Sequence, residues 1–314
     1  MARAVVAEMK GKQGMQDLSL KTLNHLADIA CVAAVSAGKL IRTYTASEVA
    51  VSRKEGGDSL ASQVVTEVDE RSQALILEKI RPTMAQHELG LLTEELSDDG
   101  SRFEKDYFWC IDPLDGTLPF TQGKSGYAVS VALVRQDGKP IIGVVYDPVA
   151  ERLYRAVLGG GLSINDRPWS FPNVEQKEKD TLRFCMDYTL ENAPRKAMLS
   201  ERMHALAKQM EMGDVLIETH GGAVGNACHV LEHPNTVYLK EPKPQLGGGS
   251  FWDFAATASI YGEAKAWVSD ARGQPLKLND ATHSFFNHCG VFYCSDPELA
   301  QQLLAALKRL NTDL

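Results

Sequence analysis

The chain has no apolar run near the ~18 to 20 residues that a membrane-crossing helix needs, and residues 1–16 hold no hydrophobic signal core. A cytoplasmic protein with no membrane association is the expectation. Cysteine is scarce: Cys31, Cys110, Cys185, Cys228, Cys289 and Cys294 show no Cys-x-x-Cys spacing. That excludes a disulfide frame or a thiolate zinc cage and predicts reduced, mostly buried thiols. Basic residues are outnumbered, 33 Lys and Arg against 41 Asp and Glu, for a formal charge of −8. Such a surface does not suit a nucleic-acid polymer or a lipid face, yet an anionic small substrate can still be held through metal. Internal repeats and low-complexity segments are absent. Gly159-Gly160-Gly161 lacks the Lys and Ser/Thr of a phosphate loop, so it reads as a turn.

What remains is ordinary globular composition, 314 residues with 44% hydrophobic and 24% charged, enough for one large or two small cores. The stretch that stands out is Trp109-Cys110-Ile111-Asp112-Pro113-Leu114-Asp115-Gly116-Thr117. Residues 107–111 read as a buried strand, which Pro113 and Gly116 are expected to stop, leaving Asp112 and Asp115 in a sharp turn beyond its end. Two carboxylates ~4 Å apart repel by roughly 4 kcal/mol at an effective dielectric of about 20. With no Lys or Arg inside the motif, a cation between them is the natural answer, and oxygen donors select a hard ion such as Mg2+ over Zn2+. The blander alternative is turn and cap chemistry, common for Asp-Gly.

Around the motif, the spacing predicts a helix from Leu20 to about residue 45, a strand or extended loop over 51–65, and a second helix from 66 to about 80. Thr66 and Asp69 fit a cap for that second helix. Residues 89–92 form a short apolar segment ending at Glu94-Glu95, and 97–105 read as a polar loop. If the 89–92 and 107–111 strands are neighbours, their carboxyl ends meet where α/β sheets place ligands. A hairpin is expected around Asp137-Gly138, followed by a strand over 153–157. The polar stretch 171–180 looks like a joint between two lobes, 1–172 (α+β) and 173–314 (α/β), forming one catalytic unit. In the second lobe, strands are expected at 181–186, near 216, at 236–240 and over 264–270. Helices are expected at 199–212, 222–231, from 251, and from an Asp296-Pro297 cap to about 310.

Asp112-Pro-Leu-Asp-Gly-Thr117, Glu94-Glu95 upstream and Trp252-Asp253-x-Ala-Ala downstream together resemble the inositol monophosphatase superfamily, over about residues 65–291. The resemblance implies a layered α-β-α-β-α sandwich of the sugar phosphatase type and a phosphoric monoester hydrolase sensitive to Li+. It implies two or three Mg2+ ions held by Glu94, Asp112, Asp115, Asp253 and the Leu114 carbonyl. Asp69 and Thr117, with Glu94, would serve the attacking water, and the Gly116 and Thr117 amides would face the phosphate. The partner implied is a small-molecule phosphate ester, with room for a homodimer.

Departures bear on the substrate. Leu118 stands where the bisphosphate nucleotidases usually carry Lys, and Lys240, followed by Glu241, stands where the inositol branch carries a Glu. Lys240 could meet a second phosphate; otherwise it is a solvated loop lysine. The segments Gly221-Gly222-Ala223-Val224-Gly225-Asn226 and Asn287-His288-Cys289-Gly290-Val291 lean toward the nucleotidases. The substrate therefore stays open between inositol monophosphate and 3'-phosphoadenosine 5'-phosphate types. Two rivals are a non-catalytic phosphate-ligand-binding or interaction protein on the same fold and a zinc hydrolase built on His229-Val-Leu-Glu-His233. Otherwise those two are surface or capping histidines, and His220, His283 and His288 could line a pocket.

Overall fold

The computed structural model describes residues 17–44, 51–53, 64–171 and 181–312. Ser19 caps α1 (Leu20–Ile41) by accepting the Thr22 N–H at 3.1 Å. Leu23, Leu26, Ala27, Ala30, Ala34 and Ile41 then recur at helical spacing and are buried. The helix ends earlier than its pattern suggests, because beyond Arg42 the ladder tightens: the N–H groups of Thr43 and Tyr44 donate three residues back, to the carbonyls of Leu40 and Ile41. Two short strands, β1 (Val51–Arg53) and β2 (Val64–Thr66), pair antiparallel; residues 54–63 between them lie outside the described residues.

Next comes α2 (Glu67–His87), which runs through Pro82 instead of stopping near residue 80. Thr83 Oγ1 donates to the Ile80 carbonyl at 2.6 Å and accepts the Trp109 indole N–H at 3.0 Å, so the turn beyond the proline is fastened to the sheet. The chain continues through β3 (Gly90–Thr93), α3 (Ser101–Glu104), β4 (Tyr107–Asp115), α4 (Thr117–Thr121), β5 (Ala128–Arg135), β6 (Pro140–Asp147), β7 (Arg152–Val157), β8 (Gly161–Ile164) and β9 (Arg167–Pro168). These strands form a seven-stranded sheet in sequence order, with β3 and β4 parallel and the other pairs antiparallel. The expected Asp137-Gly138 hairpin joins β5 to β6. The turn α3 falls within the expected polar loop: Arg102 is buried there, donating to Asp98 at 2.7 Å and to the Asp280 carbonyl at 3.0 Å.

The second half supplies β10 (Thr181–Met186), α5 (Arg195–Gln209), β11 (Asp214–Thr219), α6 (Ala223–Glu232), β12 (Thr236–Lys240), α7 (Phe251–Ala264), β13 (Trp267–Ser269), β14 (Val291–Cys294) and α8 (Pro297–Thr312). The expected joint falls at 172–180, outside the described residues. A five-stranded sheet runs in the order β11-β10-β12-β14-β13, parallel across its first three strands. Strand β14 was not legible beforehand, since Val-Phe-Tyr-Cys is too short an apolar run to carry a period. It is nevertheless fully buried between β12 and β13.

Helices α1 and α2 cover one face of the large sheet, α6 and α7 fill the space between the two sheets, and α5 and α8 close the far side. This is the expected α-β-α-β-α layering. The middle layer draws on both halves of the sequence: Phe108 and Cys110 of β4 share a cluster with Phe254 and Tyr261 of α7 and with Tyr238 and Tyr293 of the second sheet. Among the described residues, no helix is long and apolar enough to cross a membrane.

Candidate active site

Strand β4 does more than the motif suggests. Tyr107, Trp109 and Ile111 enter the core beneath α1 and α2, whereas Phe108 and Cys110 enter the middle layer. Strict alternation would send Asp112 to the middle layer and Asp115, three residues later, to the opposite face. The register against β5 shifts at this point: Asp112 lies opposite Ser130 and Asp115 opposite Ala128, so three steps on β4 match two on β5. One extra residue reverses the phase. Leu114 therefore joins Trp109 and Ile111 in the first core, and both aspartates project toward the middle layer. The expected strand end at residue 111 is thus replaced by a bulge inside a strand that reaches Asp115. Pro113 suits the bulge because it has no N–H to leave unpaired. Its carbonyl accepts from Ser72 Oγ at 2.7 Å, and the Leu114 N–H donates to Asp112 Oδ1 at 3.0 Å.

Asp115 reaches the start of α6, where its carboxylate accepts the N–H groups of Ala223 (3.1 Å) and Val224 (2.8 Å). These are donors that a helix end otherwise leaves unmade. Gly222 permits the approach, since a methyl there would fall 2.6 Å from Asp115 Cγ. Asp253 lies in the first turn of α7 and accepts the Ser250 N–H, as the acidic member of a capping box does. One carboxylate oxygen from each of Asp112, Asp115 and Asp253 comes within 4.8 Å of the others. Segments 138 residues apart in sequence at their closest, Asp115 and Asp253, thus share one site.

Glu94 lies outside that group of three. It follows the end of β3, its N–H donates to the Ile111 carbonyl at 3.2 Å, and its charge is the strongest of those acting on Asp112. The parallel pairing of β3 and β4 does bring the two strand ends together, as expected. Asp69 is buried and accepts from Thr117 Oγ1 at 3.1 Å; the same hydroxyl lies 3.1 Å from the Leu114 carbonyl. Gly116, at φ 82°, makes the left-handed turn that returns Thr117 over the bulge. One face of α2 clamps this corner: Asp69 meets Thr117, Ser72 meets Pro113, and Gln73 accepts from Thr93 and from the Glu95 N–H. Spacings of three and four residues put them on one face.

The electrostatics are one-sided. Burial, then Glu94, Asp253 and Asp115, push Asp112 well above the carboxylate range. Burial and Asp253 do the same to Asp115 against the Val224 amide and Lys240, and burial raises Asp253 against Lys240 and the Ser250 amide. Lys240 is the cation facing them. Burial alone would lower its pKa, but Asp187, Asp253 and Asp115 hold it above the ordinary value. It is not a solvated loop lysine: it ends β12 with its side chain 18% exposed and its Nζ 3.2 Å from Asp187 Oδ2.

The donor set fits a hard divalent cation. Nearby thiols do not compete, because burial raises Cys110 and Cys228 far above neutrality and keeps them protonated. The Ser250 hydroxyl, the other half of that capping box, is buried beside Asp253. Among the described residues, the group of acidic, histidine or cysteine side chains placed to hold a metal is Asp112, Asp115 and Asp253.

The histidine alternative fails on geometry. His229 Nε2 faces Glu218 Oε2 at 3.1 Å, His233 Nδ1 faces the His229 carbonyl at 2.8 Å, and their rings stack 4.0 Å apart. Nor is His229 at the surface: it is half-buried between His220 and His233, and burial and those neighbours lower its pKa to about 4. His220 belongs to this stack, while the His283 and His288 rings lie 4.3 Å apart and His288 borders a recess of about 400 Å³.

Sequence reasoning missed Ser72, Gln73, Gly222, Asn226 as a bridging residue, and Asp187. For the first two the signal was available, as polar residues three and four positions beyond Asp69 on a face that should be apolar. Asp187 offered none: it follows a strand like many loop acids, yet its Oδ1 accepts from Tyr238 Oη at 2.6 Å and Asn226 Nδ2 at 3.1 Å.

The sequence model of the inositol monophosphatase family matches residues 22–312. A protein from Haemophilus influenzae named Nus factor SuhB is 37% identical over 255 residues, 79% of this chain and 86% of its own length. An inositol-1-monophosphatase from Synechocystis is 33% identical over 224 residues, 70% of this chain and 71% of its own. The crystal structure of the extragenic suppressor protein suhB from Bartonella henselae superposes with a TM-score of 0.69 at 24% identity, covering 90% of this chain and 98% of that one.

Proposed function

Because the chain belongs to the inositol monophosphatase family, we propose that it is a Mg2+-dependent phosphatase of small-molecule phosphate monoesters, working in the cytoplasm as one catalytic unit of the lobes 1–172 and 173–314. The observation that carries this reading is the trio of aspartates within 4.8 Å, Asp112 and Asp115 buried and Asp253 half-buried, each with its pKa pushed up. Such a cluster is costly unless protons or a cation neutralise it.

Asp112, Asp115 and Asp253 would hold the metal, with Glu94 and the Leu114 carbonyl completing the set. When bound, Mg2+ supplies positive charge to the phosphoryl oxygens and acidifies water at the site. The protein's own groups do the rest. Thr117 and Asp69, hydrogen-bonded to one another, would orient a water and accept its proton, with Glu94 assisting. The backbone of Gly116 and Thr117 would position the phosphate, and α6, through its grip on Asp115, fixes one carboxylate against the other two. Preorganisation of this kind is where phosphoryl transfer gains most of its rate.

The test is phosphate release from inositol 1-phosphate, 3'-phosphoadenosine 5'-phosphate and fructose 1,6-bisphosphate, with Mg2+ and with a chelator. Release that needs Mg2+ and ceases in Asp112→Asn supports the reading, and Li+ is expected to inhibit it. The name Nus factor, carried by relatives at up to 37% identity, favours a second reading, a binding role on the same fold. Ester binding with saturating Mg2+ and no phosphate release would match that reading instead.

A further inference from the structure

Strand β12 ends at Lys240, and the oppositely charged Glu241 follows it directly. Alternation sends them to opposite sides. Glu241 turns to α5, where Arg195 at 2.9 Å and Arg202 hold its carboxylate. Lys240 turns inward, toward Asp253 and Asp115. Its position is fixed from behind. Asp187 takes Lys240 Nζ on one oxygen and Tyr238 and Asn226 on the other, so the whole carboxylate is spent on anchoring. The Tyr238 and Phe254 rings flank the ammonium at 6.0 and 5.8 Å. An ammonium carries three donors, and Asp187 accounts for one of them.

The loop that leaves Lys240 returns to the site at Ser250. A methyl built on Gly249 would lie 3.3 Å from Asp253 Oδ2, and one on Gly248 would lie 3.6 Å from Lys243 Cε. Between Pro242, Lys243, Pro244, Asn287 and His288 the loop leaves the recess of about 400 Å³. One loop thus carries Lys243 and the recess and then returns to the cage at Gly249 and Ser250.

We propose that Lys240, held by Asp187, is a specificity-determining cation that selects phosphate esters whose alcohol portion carries a second anionic group. This rests on the phosphatase reading and narrows it. The transferable phosphate meets the carboxylate-held metal, and the second anion meets the two remaining donors of Lys240. A neutral polyol phosphate brings no charged group to those two donors, and Glu241, tied to α5, does not receive its hydroxyls.

Three esters on one three-carbon backbone separate the possibilities: glycerol 3-phosphate, 3-phosphoglycerate and glycerol 1,3-bisphosphate, which differ in a far hydroxyl, carboxylate or phosphate. With Mg2+ present, kcat/KM for the two anionic esters should exceed that for glycerol 3-phosphate by about tenfold, the worth of one charge-assisted hydrogen bond. The preference should reside in KM, vanish in Lys240→Met, and return in Lys240→Arg. Preference for the bisphosphate alone, or for the carboxylate as well, identifies which anion fits. Equal kcat/KM values in the wild type, or a preference that survives Lys240→Met, overturn the proposal. Should none of the three be hydrolysed, calorimetric affinities for the same esters in Mg2+ decide it separately. Tighter binding of the anionic pair that Lys240→Met removes keeps the cation subsite while the phosphatase reading fails, and equal affinities overturn both.

Discussion

Replacing Asp112 by Asn should make the metal-free protein more stable and the Mg2+-loaded one less so. The amide keeps an oxygen for the Leu114 N–H, so the bulge in β4 survives. What it removes is one of three negative charges whose oxygens lie within 4.8 Å. At that separation and an effective dielectric of about 20, each pair repels by ~3.5 kcal/mol. Proton uptake by the raised carboxyls relieves most of it, leaving about 2 kcal/mol, or a rise of roughly 3 °C in Tm for a chain of this size. The pH dependence has a definite sign. These carboxyls have folded-state pKa values above their unfolded ones, so their own contribution to the stability of the metal-free protein is full below the ordinary carboxylate range and is lost as pH rises through the raised values. Mg2+ works the other way, adding about 2.7 kcal/mol at a hundredfold excess over its Kd, and more of it at pH 8 than at pH 5. Thermal unfolding in chelator and in Mg2+ at both pH values reads all of this. A lower Tm for Asp112→Asn in chelator, with the Mg2+ shift intact, would refute the reasoning.

Asp115→Ala should behave oppositely, losing about 1–2 kcal/mol even in chelator because the Ala223 and Val224 amides at the start of α6 lose their acceptor; denaturant titration distinguishes it from Asp112→Asn. Thr117→Val, which deletes the hydroxyl between Asp69 and the Leu114 carbonyl, should cut kcat by about 10² with a small change in KM, and Thr117→Ser should restore most of it. His229→Gln should leave Mg2+-dependent phosphate release in place. It should also flatten acid unfolding between pH 6.5 and about 4, because a histidine with a depressed folded pKa contributes stability above its unfolded value and loses it as pH falls.

Much of the fold was legible because it rests on local signals. The α1 stripe, the Asp137-Gly138 hairpin and the Asp296-Pro297 start each declare themselves within a few residues. The acids of the site were legible as types; the meeting of the β3 and β4 ends was foreseen only on the condition that the two strands are neighbours, which their parallel pairing meets. The bulge was not. Pro113 and Gly116 look the same whether they end a strand or dislocate it, and only the pairing partner β5 tells which. The burial of Lys240 was not legible for a related reason: it depends on Asp187, which sits 53 residues away with no pattern around it. Helix α2 outran Pro82 because Thr83 and Trp109, distant in sequence, meet across the core.

The most direct test is an anomalous diffraction map from crystals grown with Mn2+ in place of Mg2+. The account predicts a peak within coordination distance of oxygens from Asp112, Asp115 and Asp253 together, weakened or lost in Asp253→Asn. A clear map with no peak among those three carboxylates, or with its metal at the His229 and His233 rings instead, would contradict it.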